Sequence, residues 1–358
     1  MSRASDLSLV MREEYPDIEQ TLGHASWSFH RVDLHRGLKR LATGAGGPGA
    51  PVVLRLGCEA IGVDCDKGTL MLADGRAVKN DLVVIADGAH SRLIEDFTGY
   101  PSTVSPTGRS IYRWLVSMDD VMADPDLRAY YENQLPGFTS WRDPLNDIFW
   151  VNYTCRGGTV LNNAVVHETQ AGEGEDDLWH SSVSKEQVLA MLADFHPTTK
   201  KIVHMASEDG IKVHHLFKRP ALSSFVRGRA LVVGDAAHVM MPTHAAGGAI
   251  AIESAASLEV LFTGVHGKDG ATVAQRLQLF DQLRLPRCNL TMLASNAGPL
   301  WRNVPGVEDE IRRFYHGPLP PAGCLPWSKE VRELLFHHDE YGAAEQALAQ
   351  AQVTSHRL

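Results

Sequence analysis

The groups best placed to do chemistry lie between Ala230 and Ala256. An apolar run, Ala230 to Val233, ends at Gly234-Asp235. A bend with Pro242 follows, and Gly247-Gly248 precede a helical pattern from Ala249 to Phe262. A buried strand that ends in Gly-Asp sets Asp235 at the carboxyl edge of a sheet, where α/β folds bind ligands. Glycines let a ligand come close to the backbone, and the first N–H groups of the next helix face whatever sits there. Asp235 then offers an acceptor to a hydroxyl, and the helix start offers donors to an anion or a carbonyl. An ordinary strand, turn and helix reads the same way, so this segment alone leaves both open.

A second strand end repeats the arrangement. Leu82 to Ala86 is a continuous apolar run, as in a strand covered on both faces, and Asp87-Gly88 turns the chain beside Ser91 and Arg92. Upstream, Arg31 stands just before a helical pattern from Asp33 to Ala42. Asp33 suits its cap, and Leu34, Leu38 and Leu41 share one face. A guanidinium suits pyrophosphate, because its planar fork makes two parallel hydrogen bonds; a solvated arginine is the alternative. Arg113 lies in Ile111-Tyr112-Arg113-Trp114, where an aromatic-rich region opens.

Taken in order, these segments resemble the FAD-dependent aromatic hydroxylases with the p-hydroxybenzoate hydroxylase fold, and more closely their fungal salicylate-hydroxylase-like branch. The matching stretches are Trp27 to Leu38, Asp81 to Arg92, Ile111 to Trp114, Gly234 to His238, Phe280 to Arg287 and Leu334 to Leu348. The resemblance implies an α/β (mixed α+β) fold: a Rossmann-like FAD-binding domain with an inserted β-rich substrate domain. It implies that Arg31, Asp87, Gly234, Asp235, Gly247 and Gly248 hold FAD, with Asp235 on a ribityl hydroxyl. It places Arg113 near substrate and flavin as the catalytic candidate. The implied reaction hydroxylates or oxidises an aromatic or polyketide-like small molecule with NAD(P)H and O2, through a flavin C4a-hydroperoxide.

Three departures stand against this. The family's Gln before the last helix is Ala246 here, its Asp soon after Ile-Glu is Ser254, and its opening strand with a Gly-x-Gly-x-x-Gly turn has no counterpart: Met1 to Gln20 holds no glycine. Gly44, Gly46 and Gly49 fit the bare spacing, but they follow a helix and are interrupted by Pro48 and Pro51, so they read as a loop. The Rossmann-like domain is therefore expected to be incomplete. The expected consequences are weak FAD binding and association through an exposed sheet edge. A truncated gene product, a degenerate relative, and a binding protein or cofactor-free catalyst all remain open.

Composition sets wider bounds. The 358 residues can bury a sizeable core, and the 44% hydrophobic and 22% charged fractions are ordinary for a globular protein. A formal charge of -9 argues against nucleic acid as a partner. No run approaches a membrane span, and the five scattered cysteines favour reduced thiols, so a cytoplasmic protein is expected. The 17 histidines show no His-Glu-x-x-His spacing, and no metal site is expected.

These groups need elements to hold them. The pattern predicts helices over Leu7–Glu14, Asp33–Ala42, Ser184–Phe195, Ala249–Phe262, Thr272–Leu285 and Val331–Ala351. Strands are predicted over Val52–Leu56, Thr69–Leu72, Leu82–Ala86, Asp147–Thr154 and Thr159–His167, with a surface loop over Thr169–Asp177. The expected division is 1–102 (first half of the FAD domain), 103–218 (substrate domain), 219–300 (second half) and 301–358 (helical end).

Overall fold

A computed structural model describes the chain except for residues 16, 48, 102–103, 133, 135–136, 174–180, 266–269 and 356–358. Pro48, the border at 102/103 and the last part of the expected Thr169–Asp177 loop thus lie outside the described residues. The described chain is an α/β mixture, as expected, and divides into two compact units. One joins Met1–Leu54 to Pro106–Leu216; the other joins Arg55–Ser105 to Phe217–Leu358. The sequence reading grouped 1–54 with the residues that follow it. In the structure, strand Ser2–Arg3 pairs instead with Phe138–Asp143, and Ala4 enters the core of the first unit.

The first unit is built on a six-stranded sheet. Its order is Ser2–Arg3, Phe138–Asp143, Ile148–Cys155, Val160–Glu168, Ser105–Ser117, Lys212–Lys218. Alternation along the strands sorts the aromatics. Tyr112, Trp114, Trp141 and Trp150 all point into one core, with Trp150 4.9 Å from Trp141 and 5.2 Å from Trp114 between ring centroids. The three indole N–H groups of this core find acceptors: Trp114 on Ile202 O, Trp141 on Tyr130 Oη and Trp150 on Asn163 Oδ1. Helix Lys185–Met191, closed at its start by the reciprocal Ser184 and Gln187 bonds, and helix Pro197–His204 add apolar residues to that core.

Arg113 is offset by one residue from Tyr112 and Trp114, so it lies on the opposite face of the sheet and is exposed. Helix Arg31–Thr43 begins two residues before the expected Asp33 cap. Asp33 instead takes a two-pronged bond from Arg156, at 2.5 and 2.9 Å.

The second unit holds two three-stranded sheets. Val226–Arg227, Ala230–Val232 and Val83–Ile85 form one; Ala60–Asp64, Thr69–Leu72 and Ala77–Lys79 form the other. Helices Gly247–Phe262, Gly270–Asn296 and Glu340–Ser355 pack together beside them.

Several sequence expectations fail for identifiable reasons. Leu7–Glu14 is not helical: Leu7 has φ 59°, Asp6 caps the turn through Ser8 N–H, and Ser2 bridges to Leu9. Val52–Leu56 forms no strand, because among the described residues it has no strand to pair with, and its side chains are exposed. The helix expected at Thr272–Leu285 runs on to Asn296 through Pro286, since every residue from Arg287 to Ser295 is buried and tertiary packing overrides the missing N–H. The expected Val331–Ala351 helix breaks into Lys329–Phe336 and Glu340–Ser355.

A buried ionic knot joins these helices. Arg284, fully buried, donates to Glu340, to Glu253 Oε2 at 3.0 Å and to Ile250 O at 3.1 Å. Arg287 donates to Glu253 Oε1 at 2.8 Å and to Leu334 O and Leu335 O. Glu340→Ala would leave part of the Arg284 guanidinium buried without its partner, which costs about 3 kcal/mol. Urea unfolding should show that loss; a change within the scatter of surface mutants would contradict the role given to this knot.

Candidate functional site

The site begins with parallel pairing. Val83–Ile85 and Ala230–Val232 run side by side in register, with Val83 opposite Ala230 and Ile85 opposite Val232, and Val233 N–H bonds Ile85 O at 3.0 Å. Two residues beyond each strand stand Asp87 and Gly234. The pairing therefore brings Asp87, Gly234 and Asp235 to the same carboxyl end of the sheet, although they are far apart in sequence. Gly234 has φ 61° and ψ −148°, a conformation closed to side-chain-bearing residues. It starts the short helix Asp235–His238, and a Cβ on it would stand 3.8 Å from Ala251 Cβ, so helix Gly247–Phe262 passes close by.

That longer helix starts bare. Its N-cap, Ala246, makes no side-chain bond, no acidic residue lies in its first turn, and the first intrahelical bond is Ile250 N–H to Ala246 O. The N–H groups of Gly247, Gly248 and Ala249 are thus donors at the positive end of a 16-residue helix. A Cβ on Gly248 would meet nothing within 4 Å, so the glycine is not forced by packing within the chain and leaves open space in front of the backbone. Asp87 and Asp235 are exposed, and Asp87 accepts a bond from Arg92 N–H at 3.0 Å. Buried Ser91 Oγ has no partner among the described residues. Carboxylates for hydroxyls, helix N–H groups for an anion or ring carbonyl, and open space above glycine together fit a flavin dinucleotide.

Behind this front lie two buried imidazoles, His238 and His244, that no local sequence signal sets apart from packed histidines. His238 ends the short helix, and neither of its ring nitrogens has a partner among the described residues. His244 bonds Ser295 Oγ through Nδ1 at 3.0 Å, and Thr243 Oγ1 donates to Ser295 O at 2.7 Å. These bonds tie the bend before Gly247 to the long helix. Burial pushes both histidines down from their ordinary value to about 4. Among the described residues, Glu253, His338 and Glu340 bring potential metal-ligand atoms within 4.8 Å of one another, but Arg284 and Arg287 already bind the two carboxylates.

Comparison with known proteins decides the family. Residues 69–292 match the model of the FAD binding domain. The chain belongs to the FAD binding domain family. Its relatives include the FAD-dependent monooxygenase phomE of Diaporthe leptostromiformis, 28% identical over 96% of this chain and 88% of the relative. Another is the hispidin-3-hydroxylase of Neonothopanus nambi, 29% identical over 81% of this chain and 70% of the relative. A salicylate hydroxylase solved as a substrate complex shares the fold, with TM-score 0.72 and 22% identity over 97% of this chain and 80% of that one.

Within this FAD-binding chain, the second unit holds Asp87, Gly234, Asp235, Gly247 and Gly248; Arg31 and Arg113 lie in the first. Arg31 is the exposed first residue of its helix. Arg219 joins the site from the structure alone: it is buried and bonded to Ala236 O and Ala89 O. Nothing in its local sequence, Lys218-Arg219-Pro220, marks it.

Two measurements test this geometry. Asp235→Ala should weaken FAD binding by roughly 1.5–3 kcal/mol, the worth of a hydrogen bond to a charged group. Flavin fluorescence titration giving equal affinities would remove Asp235 from the site. The second concerns pH. His238 and His244 stay neutral in the fold, whereas unfolded imidazoles take up a proton below about pH 6.5. Their contribution to stability is complete above that pH and is lost as pH falls toward 4. The parent should lose stability over that interval more steeply than His238→Gln; parallel curves would contradict the burial of a neutral imidazole.

Proposed function

We propose that this protein is an FAD-dependent monooxygenase that hydroxylates or oxidises an aromatic or secondary-metabolite substrate, using NAD(P)H and O2. The observation that carries the proposal is the register of Val83–Ile85 with Ala230–Val232. It gathers two carboxylates at one sheet edge, and the close approach of Gly234 to Ala251 brings the glycine-opened helix Gly247–Phe262 beside them. Fungal relatives named as FAD-dependent monooxygenases support the same reading. Bound FAD supplies the redox chemistry and the activation of oxygen.

The chain's own residues bind and orient. Asp235 accepts a hydrogen bond from a cofactor hydroxyl, and Asp87 holds its loop closed through Arg92 N–H. The N–H groups of Gly247 and Gly248 donate to the polar edge of the ring and favour negative charge there. Arg31 is proposed as a donor to the pyrophosphate. The β-rich part, near residues 103–218, is proposed as the substrate-bearing domain within the division expected from the sequence. There Arg113 stands on the face away from the tryptophan core, paired across the strands with Ala164, which in turn pairs with Val151. Burial raises the pKa of the Tyr153 phenol while the charge of Arg113 pulls it the other way, so a cation and a half-buried phenol occupy one face. That combination suits an anionic or phenolic aromatic ring. The five free cysteines accord with a reducing compartment, so a cytoplasmic place of work belongs to the proposal. Among the described residues, no helix is long and apolar enough to cross a membrane.

The test is NAD(P)H oxidation and O2 uptake across a panel of phenols and aromatic carboxylates. Stimulation by a ring substrate, with a product carrying one added oxygen, supports the proposal; a flavin-loaded protein inert to the whole panel counts against it. Arg113→Ala should weaken binding of the active compound roughly 10- to 100-fold, the equivalent of one charge-assisted bond. Flavin content and melting temperature should stay near those of the parent. An unfolded variant, or normal substrate affinity, would contradict the assignment.

A further inference from the structure

Among the described residues, Arg219 is the one charged side chain that bonds directly to both strand-end segments of the candidate site, and its environment is unusual. Its side chain is 3% exposed. Nη1 donates to Ala236 O at 2.6 Å and Nη2 donates to Ala89 O at 3.2 Å. Nε is buried without a partner among the described residues. No described carboxylate forms an ion pair with it; burial lowers its pKa, and Asp87 is the foremost of the charges pulling it back up. A buried guanidinium carries a desolvation penalty of several kcal/mol, and two carbonyls do not neutralise it. A packed apolar residue would serve stability better.

What Arg219 does instead is geometric. Ala89 lies two residues after Asp87, and Ala236 lies one residue after Asp235. A planar fork bonded to both carbonyls fixes the spacing between the two segments that carry the carboxylates, and it sets a positive charge behind them. The β-sheet aligns the strands but ends at Ile85 and Val232, so beyond that point this fork is a direct link between the turn at Asp87 and the helix at Asp235.

We propose that Arg219 is a positioning residue for FAD: by bridging Ala89 O and Ala236 O it sets the distance between Asp87 and Asp235, and so governs cofactor affinity without touching the cofactor. This inference rests on the cofactor reading of the site. A role through Asp235 has a signature that a general loss of stability lacks. Once Asp235 is gone, removing Arg219 should matter much less.

The experiment is a double-mutant cycle with Arg219→Met, Asp235→Ala and the pair, read by FAD titration and by the visible absorption bands of the bound flavin. Arg219→Lys serves as the conservative variant. Expected are a loss of affinity of about tenfold or more in Arg219→Met, altered flavin bands, a double mutant little weaker than Asp235→Ala alone, and partial recovery in Arg219→Lys. With FAD bound by the parent, three results would overturn the proposal. One is parent-like affinity and bands in Arg219→Met. Another is full additivity in the double mutant, which would mean an independent contact. If Arg219→Met does not fold, the cycle is run with Arg219→Lys, and additivity there is the third. A parent protein that binds no FAD would sink the cofactor reading itself, and Arg219's role with it; a parent that binds beside an unchanged variant would sink only the latter.

Discussion

The candidate site depends on the register between two strands of three residues each. Val83–Ile85 and Ala230–Val232 are parallel, so their carboxyl ends point the same way, and everything that follows them leaves the sheet at one edge. Shifting the pair by one residue would exchange buried and exposed faces and move Asp87 away from Gly234. The register is held by burial: Ala230, Leu231 and Val232 are fully enclosed, and Val83 and Ile85 nearly so. Local propensity cannot fix so short a pair. The surrounding core does, and the chemistry follows from it.

The second requirement is that helix Gly247–Phe262 stay fixed, because its free N–H groups are useful only when pre-aimed. That helix has almost no amphipathic pattern of its own. It is anchored through Glu253, Ser254, Ser257 and the carbonyl of Ile250, all engaged by Arg284, Arg287 or Glu340. Burial alone would push the Glu253 carboxyl up, but the Arg287 and Arg284 guanidiniums outweigh it and leave the carboxyl ionised below its usual range. Buried ion pairs add little net stability over apolar packing. Here they lock that helix against helices Gly270–Asn296 and Glu340–Ser355 and fix the direction of its first turn.

Much of this was legible in the sequence, and the limits have physical causes. The two apolar runs that end in Asp-Gly and Gly-Asp marked the strand ends, because continuous apolar runs and obligatory glycines are local signals. The Ser184 cap and the helix expected from Ala249, which starts two residues earlier at Gly247, were legible from local signals as well. Buried single residues were not: Arg219, His238 and His244 acquire meaning only from neighbours distant in sequence. The early segment misled in the opposite way. Val52–Leu56 has strand-like residues, but strands exist by pairing, and the described chain offers that run no partner. Pro286 likewise argues locally for a helix end, yet the surrounding core carries the helix past it.

The account's central claim is that FAD sits where the two strand ends meet the start of helix Gly247–Phe262. The most direct measurement is a crystal structure of the protein with FAD. The account predicts the flavin ring within hydrogen-bond reach of the Gly247 and Gly248 N–H groups and a cofactor hydroxyl on the Asp235 carboxylate. Flavin density elsewhere on the chain, or none at saturating FAD, would contradict it.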